Sequence, residues 1–109
     1  MTVVTNEVFT EEINKLRSAI EVEPTIVVDV ETNGLDPFGV NQICGIGIGQ
    51  PSNSLCQYYP FRHHLGENLP LDNLVLLMDL LNHSVKQYIG YNLKFDLHFL
   101  EKDGLSNSL

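Results

Sequence analysis

The sequence has no tryptophan, only two cysteines and only six basic side chains among its 109 residues. The lysines and arginines are scattered along the chain and form no basic stripe. This distribution argues against non-specific nucleic-acid binding driven by counterion release. Fourteen acidic residues give a formal net charge of −8. A function that involves binding nucleic acid is compatible with this net charge only if metal cations supply the missing positive charge.

Two cysteines are too few for a disulfide framework. Cys44 and Cys56 flank the turn-forming segment 50–53, and pairing about that turn sets Cys44 near Pro60 and Cys56 near Ile48. The sulfurs are then not opposite each other, so we expect free thiols. The chain also lacks a run of about 20 apolar residues and a basic start followed by an apolar block. We therefore expect no membrane span, no secretory signal and a cytoplasmic location.

The order of helical and strand patterns predicts an α/β fold built as a single domain over residues 1–109. Helices are predicted over 10–22, 71–82 and 93–103, and strands over 25–32, 42–49, 55–61 and 86–91. The first three strands follow one another, whereas the fourth comes after a helical crossover. This order favours a mixed sheet of three antiparallel strands and one parallel strand, with flanking helices. The last five residues have too few anchors to fix their conformation.

Two acids stand in the most apolar strand, at Asp29 and Glu31. Residues two apart in a strand share a face, roughly 6.5–7 Å from each other. Buried carboxylates on one face repel each other and lose hydration, so they need a counter-charge. The strand contains no lysine or arginine, and a divalent cation is the expected partner. The alternative is that both acids lie at a frayed strand end and face water.

A third acid, Asp96, belongs to the last predicted helix. Leu93, Leu97 and Leu100 define the packed stripe of that helix, and Asp96 lies about 60° from Leu93 on its shoulder. An acid at this position is desolvated unless a charged group meets it, although shoulder positions are often half exposed. Asn92, just before the helix, is an N-cap candidate.

These acids fall in two motifs that are far apart in the chain. The first is Val-Val-Asp-Val-Glu-Thr-Asn-Gly-Leu-Asp-Pro at 27–37, and the second is Tyr-Ile-Gly-Tyr-Asn-Leu-Lys-Phe-Asp-Leu at 88–97. The pair resembles the first two motifs of the DEDD superfamily of 3′–5′ exonucleases. Within that superfamily, the amino-acid sequences of the two motifs are most similar to those of the proofreading domain of family A DNA polymerases. Segment 42–61 also resembles the second and third strands of that family, so the resemblance covers almost the whole chain.

The resemblance implies a ribonuclease H-like fold and two-metal hydrolysis of terminal phosphodiester bonds. Its substrate would be a single-stranded or frayed 3′ end of DNA. Asp29, Glu31 and Asp96 would be the catalytic residues and would hold two Mg²⁺ or Mn²⁺ ions, which prefer oxygen ligands. The same resemblance assigns substrate binding to a further set of residues: Thr32, Leu35 and Asn92. For Leu35, an ordinary turn position is an equally good interpretation.

The third motif of the family, Tyr-x-x-x-Asp or His-x-x-x-x-Asp, is absent from its expected place. His98 to Asp103 matches the second form by spacing, but this segment lies in the helix of the second motif and points away from Asp96. We therefore interpret the match as coincidence. The fold is expected to be C-terminally incomplete, with the rest of the domain or a polymerase domain as partner. Phe95 and Phe99 favour this too, because they lie off the leucine stripe and would be uncovered. The alternative is that they fold back onto the sheet or the loop.

Two other functions stay open on the sequence alone. The chain could be a non-catalytic structural or interaction module beside a polymerase, or an RNA-trimming exonuclease of the same superfamily. Little or no turnover is expected from these residues by themselves, since one metal-binding carboxylate is missing. His63 and His64 are expected in a solvated loop, and the tyrosines are expected to pack across strands.

Overall fold

The computed structural model describes residues 1–64 and 66–108. The elements are β1 (Thr2–Val3), α1 (Phe9–Val22), β2 (Thr25–Thr32), β3 (Ile43–Gln50), β4 (Leu55–Pro60), α2 (Leu71–Ser84), β5 (Gln87–Ile89) and α3 (Leu93–Lys102). They form a sheet of order β1-β4-β3-β2-β5. Strands β2, β3 and β4 are antiparallel, whereas β5 runs parallel to β2 and β1 parallel to β4. The predicted mixed sheet is confirmed. Strand β1 was not predicted because two residues show no period.

The hydrophobic core lies on one face of the sheet. Along β2 the buried side chains alternate with exposed ones, as expected for a strand packed on a single side. Helices α1 and α2 supply the residues that pack against this face: Ile13, Leu16 and Ile20 from α1, and Leu74, Leu77, Met78 and Leu81 from α2. None of the helices in the described ranges is long and apolar enough to cross a membrane.

The β3–β4 hairpin has a register one residue away from the prediction. Its connection is a 3₁₀ turn over Pro51–Asn53 followed by Ser54 in the left-handed region, with φ 53°. This four-residue loop pairs Gly45 with Pro60 and Gly49 with Cys56. Both cysteines are free, as expected.

Helix α3 is turned differently from the prediction. Its buried residues follow an i, i+3, i+4 spacing: Asp96, Phe99 and Leu100. Leu100 is fully buried, as predicted, whereas Leu93 and Leu97 are only partly buried at the edge of the core. The predicted leucine stripe is therefore correct only at Leu100. The predicted exposure of Phe95 and Phe99 is also wrong, because Phe99 is fully buried and the Phe95 ring packs on it at 5.0 Å. Of the two rings, only part of Phe95 stays exposed.

The C-terminal segment is anchored, contrary to expectation. Leu105 is buried. The Asn107 side-chain amide donates to the carbonyls of Leu81 and Val85 at 2.8 and 2.9 Å, and its oxygen accepts from the Tyr88 hydroxyl at 2.7 Å. Segment 105–108 thereby satisfies the carbonyls at the end of α2. Leu109, which belonged to the same expectation, lies outside the described residues.

Candidate functional site

Asp29 and Glu31 lie on the face of β2 opposite the core. Their partners across the ladder are glycines, Gly47 for Asp29 and Gly45 for Glu31. Both acids are exposed, so the prediction that they are buried is wrong. The reason is that α1 and α2 cover only the other face of the sheet. The strand end is not frayed, however, because both residues are paired in the ladder.

Asp96 lies in the first turn of α3 and is only 4% exposed. Burial raises the pKa of its carboxyl group to about 6, and the charge of Asp29 adds to this rise, while a backbone hydrogen bond at Val30 opposes it. Across residues 1–64 and 66–108, no basic side chain forms an ion pair with Asp96. Asp29 and Asp96 therefore interact as two carboxylates without a compensating charge.

Glu31 has a partner on β4. The Tyr58 hydroxyl donates a hydrogen bond to Glu31 Oε1, and Nε2 of His63 lies 2.8 Å from the same hydroxyl. Desolvation, together with the Glu31 charge, raises the pKa of the Tyr58 phenol. His63 is thus half-buried and bonded, which corrects the expectation of a solvated loop; His64 is exposed, as expected. Tyr58 was missed from the sequence, although a strand glycine facing a tyrosine could have indicated it.

The three predicted substrate-binding residues lie close to the acids in the chain but differ in their contacts. The Thr32 hydroxyl donates to the Gly34 carbonyl at 2.5 Å. Leu35 is 84% exposed on the loop that follows β2. Asn92 occupies the N-cap position of α3 but makes no side-chain capping bond, so the expected cap does not form. Its side chain is exposed, and within residues 1–64 and 66–108 the amide makes no capping bond that would keep it from another molecule.

The chance match His98 to Asp103 plays no part in this site. Asp103 forms a two-bond ion pair with Arg62, at 2.8 and 3.1 Å. Nδ1 of His98 lies 3.3 Å from the Glu101 carboxylate. Both side chains are engaged elsewhere, which agrees with the interpretation of the match as coincidence.

The donor set suits a hard divalent cation. Carboxylate oxygens are the ligands that Mg²⁺ and Mn²⁺ prefer, and a cation would relieve the repulsion between Asp29 and the buried Asp96. In the part of the chain that the structure describes, no three Asp, Glu, His or Cys side chains are grouped closely enough to hold a metal as they stand. The Glu31 carboxylate is bonded to Tyr58 instead.

Among curated proteins, DNA polymerase I of Synechocystis sp. is 34% identical to the chain over 96 residues, which are 85% of this chain and 10% of that protein. DNA polymerase DpoZ of Salmonella phage PMBT28 is 32% identical over 77 residues, which are 71% of this chain and 11% of that protein. The chain therefore spans about a tenth of the length of the curated relatives it matches.

Among solved structures, S. pombe Pop2p in its Mg²⁺- and Mn²⁺-bound form is similar to the chain. The TM-score is 0.63 at 20% sequence identity, and the match covers 94% of this chain and 62% of that chain. At this identity the likeness concerns the fold alone. No protein-family model matches the chain.

Proposed function

The chain belongs to the DEDD superfamily of 3′–5′ exonucleases, and we propose that it removes nucleotides from 3′ ends of DNA. Members of this superfamily are hydrolases with a ribonuclease H-like fold. DNA is proposed as the substrate because both curated relatives are DNA polymerases. A polymerase domain, or a further part of the exonuclease domain, is the proposed partner. The cytoplasmic location remains part of this proposal.

The proposal depends above all on the state of Asp96. A carboxyl group that is 4% exposed, has no basic partner in the described ranges and is repelled by Asp29 is unfavourable in a metal-free fold. Perturbed carboxylates of this kind are typical of functional sites. A divalent cation next to Asp29 and Asp96 removes the penalty, and this supports a metal-dependent hydrolase.

The roles of the residues follow from their positions. Asp29, Glu31 and Asp96 supply carboxylate oxygens for two Mg²⁺ or Mn²⁺ ions. When bound, such ions activate a water and stabilise the leaving 3′ oxygen. The P–O3′ bond to the last nucleotide breaks, so the products are a nucleoside 5′-monophosphate and a strand shortened by one residue. Metal ions also bring positive charge to a chain whose net charge is −8.

The terminal nucleotide is proposed to lie against three residues near these acids: Thr32, Leu35 and Asn92. Leu35 offers an apolar side chain to the last base, and the Asn92 amide offers a donor and an acceptor. The fourth carboxylate of the family has no counterpart in the 109 residues. Weak divalent binding and little turnover are therefore proposed for the chain alone, because three carboxylates give one of the two ions fewer oxygen ligands.

Digestion of a 5′-labelled single-stranded DNA oligonucleotide tests the proposal. With Mg²⁺ or Mn²⁺ we expect products shortened stepwise from the 3′ end, and no such products from Asp29→Ala or Asp96→Asn. Asp79→Asn is the matched control, since Asp79 is an exposed acid on α2. Shortening that persists in Asp29→Ala contradicts the proposal. Preferential digestion of an RNA oligonucleotide favours the RNA-trimming alternative. Because the proposed turnover is low, the assay uses protein in excess over the oligonucleotide and long incubation, and no digestion of either substrate under these conditions favours the non-catalytic module.

A further inference from the structure

Tyr58 reaches Glu31 from two strands away. Tyr58 on β4 is paired with Gly47 on β3, and Glu31 on β2 is paired with Gly45 on the same strand β3. Adjacent strands are about 4.8 Å apart, so the phenol must pass over β3 to meet the carboxylate. A Cβ built on Gly45 would overlap the Tyr58 ring and hydroxyl. The absence of a side chain at Gly45 therefore makes the path across β3 possible.

The polarity of the contact follows from the groups involved. An ionised carboxylate only accepts hydrogen bonds, and a phenol has a single proton to donate. Tyr58 therefore donates to Glu31 Oε1 and accepts from Nε2–H of His63, which lies 2.8 Å away. The His63 ring stands at 66° to the Tyr58 ring, with centroids 5.9 Å apart. The result is a chain of donors from His63 through Tyr58 that ends on one oxygen of Glu31.

We infer that Tyr58 is a positioning residue for Glu31. The Tyr58 hydroxyl reaches over Gly45 and holds the Oε1 atom of Glu31, which leaves the Oε2 atom of Glu31 for a divalent cation. Carboxylates that bind metals are commonly oriented by such partners, whose loss costs roughly 10–100-fold in metal affinity or activity. The inference rests on the proposed function, because it assigns Glu31 as a ligand.

The first test uses the metal-free protein and the ¹³C resonance of the Glu31 carboxyl group. Tyr58→Phe removes the donor, and Gly45→Ala pushes the phenol aside, so both variants should shift this resonance. Gly49→Ala is the matched control, because it makes the same change on the same strand and its Cβ would meet only the Leu55 carbonyl at 3.5 Å, an ordinary contact. A Glu31 resonance that does not move in Tyr58→Phe overturns the inference.

The second test measures Mn²⁺ affinity from the electron paramagnetic resonance signal of free Mn²⁺. Tyr58→Phe and Gly45→Ala should each weaken binding by about 10–100-fold. Tyr59→Phe is the control for loss of a phenol, since the Tyr59 hydroxyl donates to Gln57 in the core, and it should leave the affinity unchanged.

The outcomes of this second test separate the two proposals. Binding that is lost in Asp29→Ala but unchanged or tighter in Tyr58→Phe overturns the positioning role alone and leaves the proposed function intact. No Mn²⁺ binding by the wild-type chain overturns the proposed function, and the role of Tyr58 with it.

Discussion

Glu12 and Asp96 are equally buried carboxylates, each 4% exposed, but their surroundings are opposite. Glu12 on α1 accepts from Lys15 at 2.7 Å and lies 3.4 Å from the Gln57 amide nitrogen. Asp96 on α3 has no basic partner within the described ranges and is repelled by Asp29. A buried carboxylate with partners supports the fold. One left beside a second carboxylate destabilises the metal-free fold, as a preformed cation site does.

The largest difference between Asp96 and Glu12 is expected in the exonuclease activity that remains after each is substituted. Asp96→Asn is expected to abolish the low exonuclease activity proposed for the chain, because it removes a proposed metal ligand. Glu12→Gln, at an equally buried position, should leave activity unchanged. The measurement is digestion of labelled single-stranded DNA by the two variants side by side. Equal losses of activity in the two variants would contradict the proposal that Asp96 binds metal whereas Glu12 only supports the fold.

Asp96→Asn should lower activity but raise the free energy of unfolding of the metal-free protein. Because the folded protein raises the pKa of Asp96 from 3.8 to about 6, the wild-type chain loses stability as the pH rises through this range. Asp96→Asn stays neutral, so without metal it should be more stable than wild type by about 3 kcal/mol at pH 7. The advantage should shrink as the pH falls below 6 and vanish below the unfolded-state pKa of 3.8, where Asp96 is neutral in both the folded and the unfolded chain.

Urea unfolding in EDTA, repeated between pH 4 and pH 8, measures this difference. A gain that does not depend on pH would mean that the charge of Asp96 is not its cause. Glu11→Gln, at an exposed position on α1, is the control for a general effect of removing one negative charge.

Removing Glu12 should instead destabilise the protein. Glu12→Ala loses the ion pair with Lys15 and leaves the Gln57 amide with fewer partners, so we expect a loss of about 1–3 kcal/mol in the free energy of unfolding. Thermal or urea unfolding checks this value, and Mn²⁺ affinity should stay the same. A stabilised Glu12→Ala protein would contradict the view that this carboxylate supports the fold.

The smallest effect is expected at Asn92. An N-cap asparagine normally contributes about 1 kcal/mol, but Asn92 makes no capping bond. Asn92→Ala should therefore change the free energy of unfolding by less than about 0.5 kcal/mol, while raising the KM for DNA if the amide contacts substrate. A loss of stability near 1 kcal/mol would show that the side chain does cap α3 in solution.

The sequence predicted the strands and the two motifs well because these signals are local. The β-branched run at Thr25–Thr32 has the predicted bounds, and the helical crossover yields the predicted parallel strand β5. Which face of the sheet is buried, however, depends on helices that are distant from β2 in the sequence. Asp29 and Glu31 alternate with buried residues, and only the positions of α1 and α2 decide that their face stays open.

The orientation of α3 shows a second limit. Its ten residues contain apolar side chains on several sides, so periodicity alone did not choose between the stripe with Leu93 and Leu97 and the one with Phe99. Packing of the Phe99 ring decided it and placed Asp96 on the buried side. The contact between Tyr58 and Glu31 joins strands that are not neighbours. The glycines of β3 indicate that a side chain could cross that strand, but the pattern along the chain does not identify which carboxylate it meets.

Paramagnetic broadening by Mn²⁺ in NMR spectra tests the central claim most directly, namely that Asp29 and Asp96 share a divalent cation. As Mn²⁺ is added, the signals of Asp29, Glu31 and Asp96 should broaden first, those of Glu12 should stay sharp, and Asp96→Asn should abolish the selective effect. Signals that broaden uniformly, or that broaden at Asp29 and Asp96 no earlier than at Glu12, would contradict the account.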